Sequence, residues 1–409
     1  MVWGCMQGAA GTALATVLLS LGSWLGLAVK AGSPAQPSIS AAERTQAIRN
    51  ALVWQPIDPT TLDVIQGPRF AAGTHYGLGE TVRCTFVDPD TLAGPLGGMT
   101  QKFLCRTAQG EVIKVSYDLD NGEVFADVAA SRLLWMLGFG AHSISSVRVV
   151  CDNCPEDPWG WYNLSPAQRQ LYRASRQLSE RPPWSAWTQR FIPGQRVFIP
   201  ATVETRHPGW EIEQSKGQGW RFGELALVSQ QNASLAAEQK QQRDALILLN
   251  AMLQNADTKA ENQTLLCLDG EAKPEPAMPC RQSLLMIDDG GWSFGRGYVL
   301  SKPFEASKMR LDHWRATPVW RDRDRCVAAV HPFFDGTLRP SVISEAGRRF
   351  LLQRFALLSQ EQKIDLFRAA RTSLQQIKAR SAEQWGEPAA WAEVLNGKIA
   401  EIAAVTCPS

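Results

Sequence analysis

The sequence predicts an α+β protein with a sheet-rich first half around one helix and a mainly helical second half. With 409 residues, the chain has room for two domains or lobes and a sizeable core. Alternating, β-branched segments gather between residues 81 and 151 around one stretch of helical periodicity, and long helical patterns fill the chain after residue 206. The alternating strand–helix units of a parallel sheet are absent from the first half.

In chain order, residues 8–29 carry no charge and end at Lys30, before the polar, Pro-containing "AGSPAQPS". Residues 1–31 therefore read as a signal peptide, with a passable cleavage site at Val29-Lys30-Ala31, or as a membrane anchor, since the apolar run is long and no Lys or Arg precedes it. Residues 32–75 form a polar lead-in with one short helix, "SAAERTQAIRNALV". From Thr81 the segments "TVRCTFV", "KFLCRT" and "EVIKVSYD" read as strands, the first two joined by the Gly- and Pro-bearing "DPDTLAGPLGGMT". In "GEVFADVAASRLLWMLGFGA" apolar residues recur at helical spacing, and Gly138 and Gly140 supply a stop. "ISSVRVVC" is a further strand. Residues 152–186 read as a Trp- and Pro-rich insertion within a unit spanning 76–205, irregular apart from the helix "SPAQRQLYRASRQL", with "WTQRFIPGQRVFIP" returning to strand character. Residues 206–409 contain the helical "NASLAAEQKQQRDALILLNAMLQN" and a long helical run from Glu345.

Composition is that of an ordinary globular protein, 44% apolar and 20% charged with a net charge of +2, so no basic footprint for nucleic acid exists. Fifteen tryptophans are read chiefly as packing anchors. Of nine cysteines, Cys5 precedes the apolar run and eight follow it, as a disulfide framework in an exported protein would require. Nearest-neighbour pairing would join Cys84 to Cys105, Cys151 to Cys154, Cys267 to Cys280 and Cys326 to Cys407, but spacing leaves the connectivity open, and Cys151-Asp-Asn-Cys154 alternatively offers half a zinc site.

The stretch "QNADTKAENQTLLCL" places Asp257, Lys259 and Asn262 between a helical and a strand-like segment. Phosphoryl transfer uses such a trio: a carboxylate to accept the hydroxyl proton, a lysine to offset charge on the transferred phosphate, and an amide oxygen to hold Mg²⁺. Downstream, the apolar "LLMI" runs into Asp288-Asp289-Gly290, which offers a second metal ligand; strand geometry favours Asp288, with Asp289 one step on. Upstream, Lys114 sits mid-strand and calls for phosphate or carboxylate, and Glu123 and Asp127 lie four apart on one helix face. Before them, Gly97 and Gly98 allow close backbone approach, and Thr100 or Lys102 can reach phosphates.

In this order the motifs resemble the protein-kinase-like superfamily, over roughly residues 81–297. "DTKAEN" resembles its catalytic loop and "IDDGG" its metal-binding Asp-x-Gly. "DVAASRLLWMLGF" is similar to the carboxylate-bearing helix of the secretory-pathway kinases, within an atypical branch that also holds phosphoinositide and bacterial toxin-type kinases. The resemblance implies a two-lobed protein-kinase-like fold, with a small antiparallel-sheet N-lobe bearing one helix and a mainly helical C-lobe. It implies Asp257 as base and Lys259 as its phosphate-facing neighbour, Asn262 and Asp288 (with Asp289) as metal ligands, and Lys114 on phosphate with Asp127 or Glu123 as partner. ATP and Mg²⁺ would be the cofactors, a nucleotide and an unidentified hydroxyl-bearing substrate the partners, and the membrane a partner only through an uncleaved N-terminal segment. Asn255-Ala256 replaces the usual His-Arg, and no Ala-Pro-Glu follows.

Two other readings compete. "GWSFG" matches the nucleophile elbow of α/β-hydrolases with Ser293 as nucleophile, and Asp312, Asp322 or Asp324 and His331 follow in order. The chain would alternatively be a catalytically inactive, exported kinase-like binding module. His75, His142, His207 and His313 read as structural.

Overall fold

In a computed structural model the described residues are 39–408, except 71–73, 93–95, 99, 176–188, 216, 229–232, 271–279, 297–307, 331–335 and 379–385. The expected leader or anchor and His331 lie outside them. Residues 37–409 form one compact unit, within which two large hydrophobic cores are distinct.

The first helix, α1 (Ala41–Arg49), starts at a capping box: Glu43 N–H donates to the Ser40 hydroxyl at 3.2 Å, and Ser40 N–H donates to the Glu43 carboxylate at 2.8 Å. The lead-in is more than a polar tail. Ile48, Ala51 of β1 (Ala51–Leu52) and Val53 are buried in the larger core.

Strands β2 (Thr81–Phe86), β3 (Lys102–Thr107) and β4 (Val112–Tyr117) precede helix α2 (Glu123–Met136). There follow β5 (Gly140–Ala141), β6 (Ser143–Cys154), the short helices α3 (Pro158–Asn163) and α4 (Pro166–Ser175), and β7 (Gly194–Thr205). β2, β3, β4, β7 and β6 close into a barrel, antiparallel except for the β2–β6 pair. Alternate residues such as Phe103, Ile113, Val115, Val149 and Val203 fill its core. α2 is buried on almost every side and belongs to the larger core. It ends where the periodicity predicts: Gly138 takes a φ of +88°, Phe139 N–H donates to Leu134 O at 2.9 Å, and a Cβ on Gly138 would meet Trp54 Nε1 at 2.3 Å.

The described part of the insertion holds two helices rather than one. α3 and α4 form a small cluster of their own through Trp161, Tyr172 and Phe191. Tyr162 Oη donates to Val87 O at 2.6 Å, and Arg173 pairs with Asp88 and Asp90 at 2.6 and 2.7 Å, which ties the insertion to the loop after β2.

The second half contains β8 (Trp210–Glu211), α5 (Ala233–Leu253), β9 (Gln263–Cys267), β10 (Ser283–Ile287), α6 (Leu311–Ala316), β11 (Trp320–Asp322), β12 (Val327–Ala328), α7 (Glu345–Ala356), α8 (Gln360–Ala369) and α9 (Pro388–Ala403). The long helical pattern after Glu345 breaks at Ser359, whose side chain and Gln362 form a fresh capping box. β1, β10, β9 and β8 line up in one sheet, and β5 also pairs with β10. Trp220, Trp314 and Trp391 are fully buried; Trp314 stacks on Trp391 at 5.9 Å and donates its indole N–H to Met252 O at 2.8 Å. Tryptophan here fills the core. Among the described residues no helix is long and apolar enough to cross a membrane.

The nearest-neighbour disulfides are the ones formed: Cys84–Cys105, Cys151–Cys154, Cys267–Cys280 and Cys326–Cys407. Cys151 and Cys154 bond each other, which removes the zinc alternative. The last disulfide works with Glu345, which accepts from Cys407 N–H at 2.9 Å and pairs with Arg348 and Arg349 at 2.7 and 2.6 Å. The Arg348 hydrogen bonds, ahead of smaller opposing burial, hold its carboxyl down at about 2. A depressed carboxyl contributes stability above its unfolded pKa and loses it as pH falls through the folded value. Glu345→Gln is therefore expected to cost about 2 kcal/mol at neutral pH. Acid melts in the window from ordinary glutamate titration down to about pH 2 should show the difference from wild type shrinking.

Candidate functional site

Strand pairing brings the two separated motifs together. β9 and β10 are antiparallel with Gln263 opposite Ile287, so the next pair outward is Asn262 and Asp288. The backbone N–H groups of Asp288 and Asp289 both donate to Asn262 O, at 3.0 and 3.3 Å. Cys267–Cys280 closes the other end of the hairpin. Further contacts brace the loop before β9. Ala256 N–H donates to Trp292 O at 3.0 Å and Phe294 N–H to Leu253 O at 2.8 Å. Thr337 donates to Thr258 O through both its N–H and its hydroxyl, each at 2.8 Å. Asn255 stands where the resemblance expects His, and it braces the preceding helix end instead, since its amide donates to Asn250 Oδ1 at 3.1 Å.

Within this loop Asp257 and Asn262 are buried. Asn262 Nδ2 donates to Asp257 O at 2.8 Å, which leaves the amide oxygen as the atom suited to ligation. Lys259 Nζ lies 3.5 Å from Asp257 and 3.1 Å from Glu261. Burial raises the Asp257 pKa above the ordinary aspartate value, against Lys259 and with help from Asp289. Burial also opposes the charge of Lys259, but Asp257 and Glu261 outweigh it and raise its pKa.

The lysines pair differently from expectation. Lys114 meets neither Asp127 nor Glu123 in an ion pair; its partner is Glu204 at 2.5 Å. Register explains this, because Val115 sits opposite Val203, so Lys114 and Glu204 are the adjoining cross-strand pair. Burial pushes Glu204 up, but Lys114 brings it down to about 2. Glu123 instead pairs with Lys102 at 3.4 Å and accepts from the Thr100 hydroxyl, all three being buried. Gly98, at a φ of +93°, lies so close to Lys102 that a Cβ would come within 2.7 Å of Nζ; Gly97 is exposed with open space around it.

Lys114, His142, Glu204, Asn262, Asp288 and Asp289 line one cleft. Asp288 faces His142 Nε2 at 3.2 Å. Asp289 is the more central charge: burial and Glu123 raise its pKa, while Lys102 and Lys114 oppose them. Asp127 is raised well above an ordinary aspartate by burial, then by Asp289 and Glu123. Buried oxygens of Asp127 and Asp257 have no hydrogen-bond partner. Carboxylate and amide oxygens, several of them short of partners, suit a hard divalent cation such as Mg²⁺, so the donor set fits the metal that the motifs imply.

Four contributors escaped the sequence reading. Glu204 and His142 are single polar residues in or beside strands. Arg296 is buried over the Trp292 ring at 4.5 Å, where burial lowers its pKa against Glu123, Asp127 and Asp289. Gly219 touches the loop directly, as a Cβ there would come within 1.7 Å of Ala260 O. Ser293 is fully buried and its hydroxyl has no hydrogen-bond partner. A nucleophile elbow presents its serine to a cleft, so this geometry does not suit the hydrolase reading.

No family model matches the sequence, and no curated protein does. Among solved structures the chain is similar to the proinflammatory kinase CtkA of Helicobacter pylori at 10% identity and a TM-score of 0.36, with 76% of this chain and 90% of that one covered. It is similar to the Golgi casein kinase at 11% identity and a TM-score of 0.31, covering 80% and 72%. For the Golgi casein kinase with Mn/ADP bound the values are 11% and 0.29, covering 80% and 73%. Likenesses this distant carry no argument; the side-chain geometry does.

Proposed function

We propose that this chain is an exported, kinase-like phosphotransferase that moves the γ-phosphate of ATP, with Mg²⁺, to a hydroxyl group of a protein, glycan or small molecule. The barrel and α2 would act as its N-lobe and the helical second half as its C-lobe. The observation that supports this most is the β9–β10 register, which sets Asn262 beside Asp288 and Asp289 at a cleft that also holds Lys114. Four disulfides and the uncharged N-terminal segment support export. The membrane would be a partner only through that segment.

In this reading Asp257 accepts the proton of the attacking hydroxyl, and its raised pKa makes it a stronger base than an exposed aspartate. Lys259 offsets charge beside it. Asn262, Asp288 and Asp289 would hold Mg²⁺, which when bound neutralises charge on the triphosphate. Lys114 and Lys102 would face the phosphates, with Glu123 fixing Lys102 and the Gly97–Gly98 turn letting backbone approach. A nucleotide-binding module without turnover is the second reading, favoured by the 2.5 Å Lys114–Glu204 pair that engages the lysine's charge elsewhere.

Thermal melting of the full chain tests nucleotide binding in both readings. ATP with Mg²⁺ at about 100 times its dissociation constant should stabilise by roughly 2.7 kcal/mol. Melting unchanged by millimolar ATP–Mg²⁺ and ADP–Mn²⁺ would contradict both.

A further inference from the structure

We infer that His142 is a positioning residue for Asp288, fixing the carboxylate that receives the divalent cation; the inference rests on the metal-site reading above. Asp288 follows the last residue of a strand flanked on both sides. On one side β9 supplies Asn262, whose carbonyl accepts from Asp288 N–H at 3.0 Å, and Thr264, which sits opposite Met286. On the other side β5 runs parallel to β10 with Ala141 opposite Ile287, so the next residues along are His142 and Asp288. Register alone therefore sets His142 against Asp288, and the side chains bear this out at 3.2 Å.

The imidazole is fixed at its other end. His207 N–H donates to His142 Nδ1 at 3.0 Å. A nitrogen that accepts carries no proton, so the ring proton belongs on Nε2, which lies 3.2 Å from Asp288 Oδ1, a buried oxygen with no hydrogen-bond partner. The ring is buried, so water does not compete for that proton. A metal-ligating carboxylate is commonly oriented by such an outer partner, whose loss weakens metal binding about 10–100-fold. β5 can approach this closely because Gly140 has no side chain: a Cβ there would lie 2.7 Å from Leu285 O.

The test uses Mn²⁺ alone as probe, with the free ion measured by electron paramagnetic resonance in the presence of the full chain and no nucleotide. His142→Leu keeps the volume without the donor and should weaken Mn²⁺ binding about 10–100-fold. His142→Gln, whose amide N–H can reach toward Asp288, should recover most of that loss. Loss with Leu and recovery with Gln are read as Mn²⁺ affinity, because Leu also removes the acceptor of His207 N–H and so shifts the melting temperature for a separate reason. Adding His142→Leu to Asp288→Asn should weaken binding no further than Asp288→Asn alone. If His142→Leu binds Mn²⁺ like wild type while Asp288→Asn does not, the inference fails and the metal site stands. Additive losses in the double variant, or no recovery with Gln, would also overturn it. A wild-type chain that binds no Mn²⁺ overturns the metal site and the inference together.

Discussion

Asp257→Asn is expected to lower phosphoryl transfer by about 10²–10⁴-fold, the usual contribution of a positioned general base, while the melting shift given by ATP–Mg²⁺ persists. The substitution keeps the shape of a buried side chain braced by its neighbours: Asn262 bonds the Asp257 carbonyl at 2.8 Å and Lys259 lies 3.5 Å from the carboxylate. What it removes is the ability to take a proton. Because burial, more than any neighbouring charge, raises the Asp257 pKa, the acid limb of kcat/KM should lie above the ordinary aspartate range. Activity falls as pH drops through that value, since the protonated acid cannot serve as base. An Asp257→Asn protein that turns over at the wild-type rate would show that another group does this work.

Gly219→Val is expected to destabilise the fold by about 3 kcal/mol or more and to abolish the ATP–Mg²⁺ melting shift. A β-branched residue in the left-handed region alone costs roughly 1–2 kcal/mol, and Gly219 has a φ of +52°. Its Cβ would lie 1.7 Å from Ala260 O and 2.2 Å from Gln263 O, both backbone atoms of the loop that carries Asn262. These atoms cannot give way without moving Asn262 from Asp288. The Gly219 carbonyl also accepts from Arg44 Nη2 at 2.6 Å, so displacement would disturb the lead-in helix. Urea unfolding measures the stability loss; a variant as stable as wild type, with its nucleotide shift intact, would mean the loop has slack that its hydrogen bonds do not suggest.

What could be read in advance followed from local signals. The short lead-in helix, the Gly138 stop of α2 and the spacing of Asp257, Lys259 and Asn262 are written in residues a few positions apart. The two five-residue apolar strands Gln263–Cys267 and Ser283–Ile287 are short enough that hairpin pairing carries Asn262 to Asp288. Charge pairing was not legible. Lys114 and Glu204 are 90 positions apart and meet only because β4 lies beside β7 in the barrel; the helix carboxylates looked like nearer partners. Strands of two residues such as β1 and β5 have no periodicity to detect, so His142 looked incidental. α2 is apolar on nearly all sides because barrel, sheet and helices all pack on it, and the sequence pattern does not tell which face meets which. Gly219 gave no sign of its contact with a loop 40 residues on, since only tertiary approach makes that glycine necessary.

Transfer of labelled γ-phosphate from ATP by the full chain with Mg²⁺, measured for wild type, Asp257→Ala and Asp288→Ala, tests the central claim most directly. The account predicts turnover by wild type and a fall of about 10²-fold or more in each variant. Equal turnover in all three would contradict it.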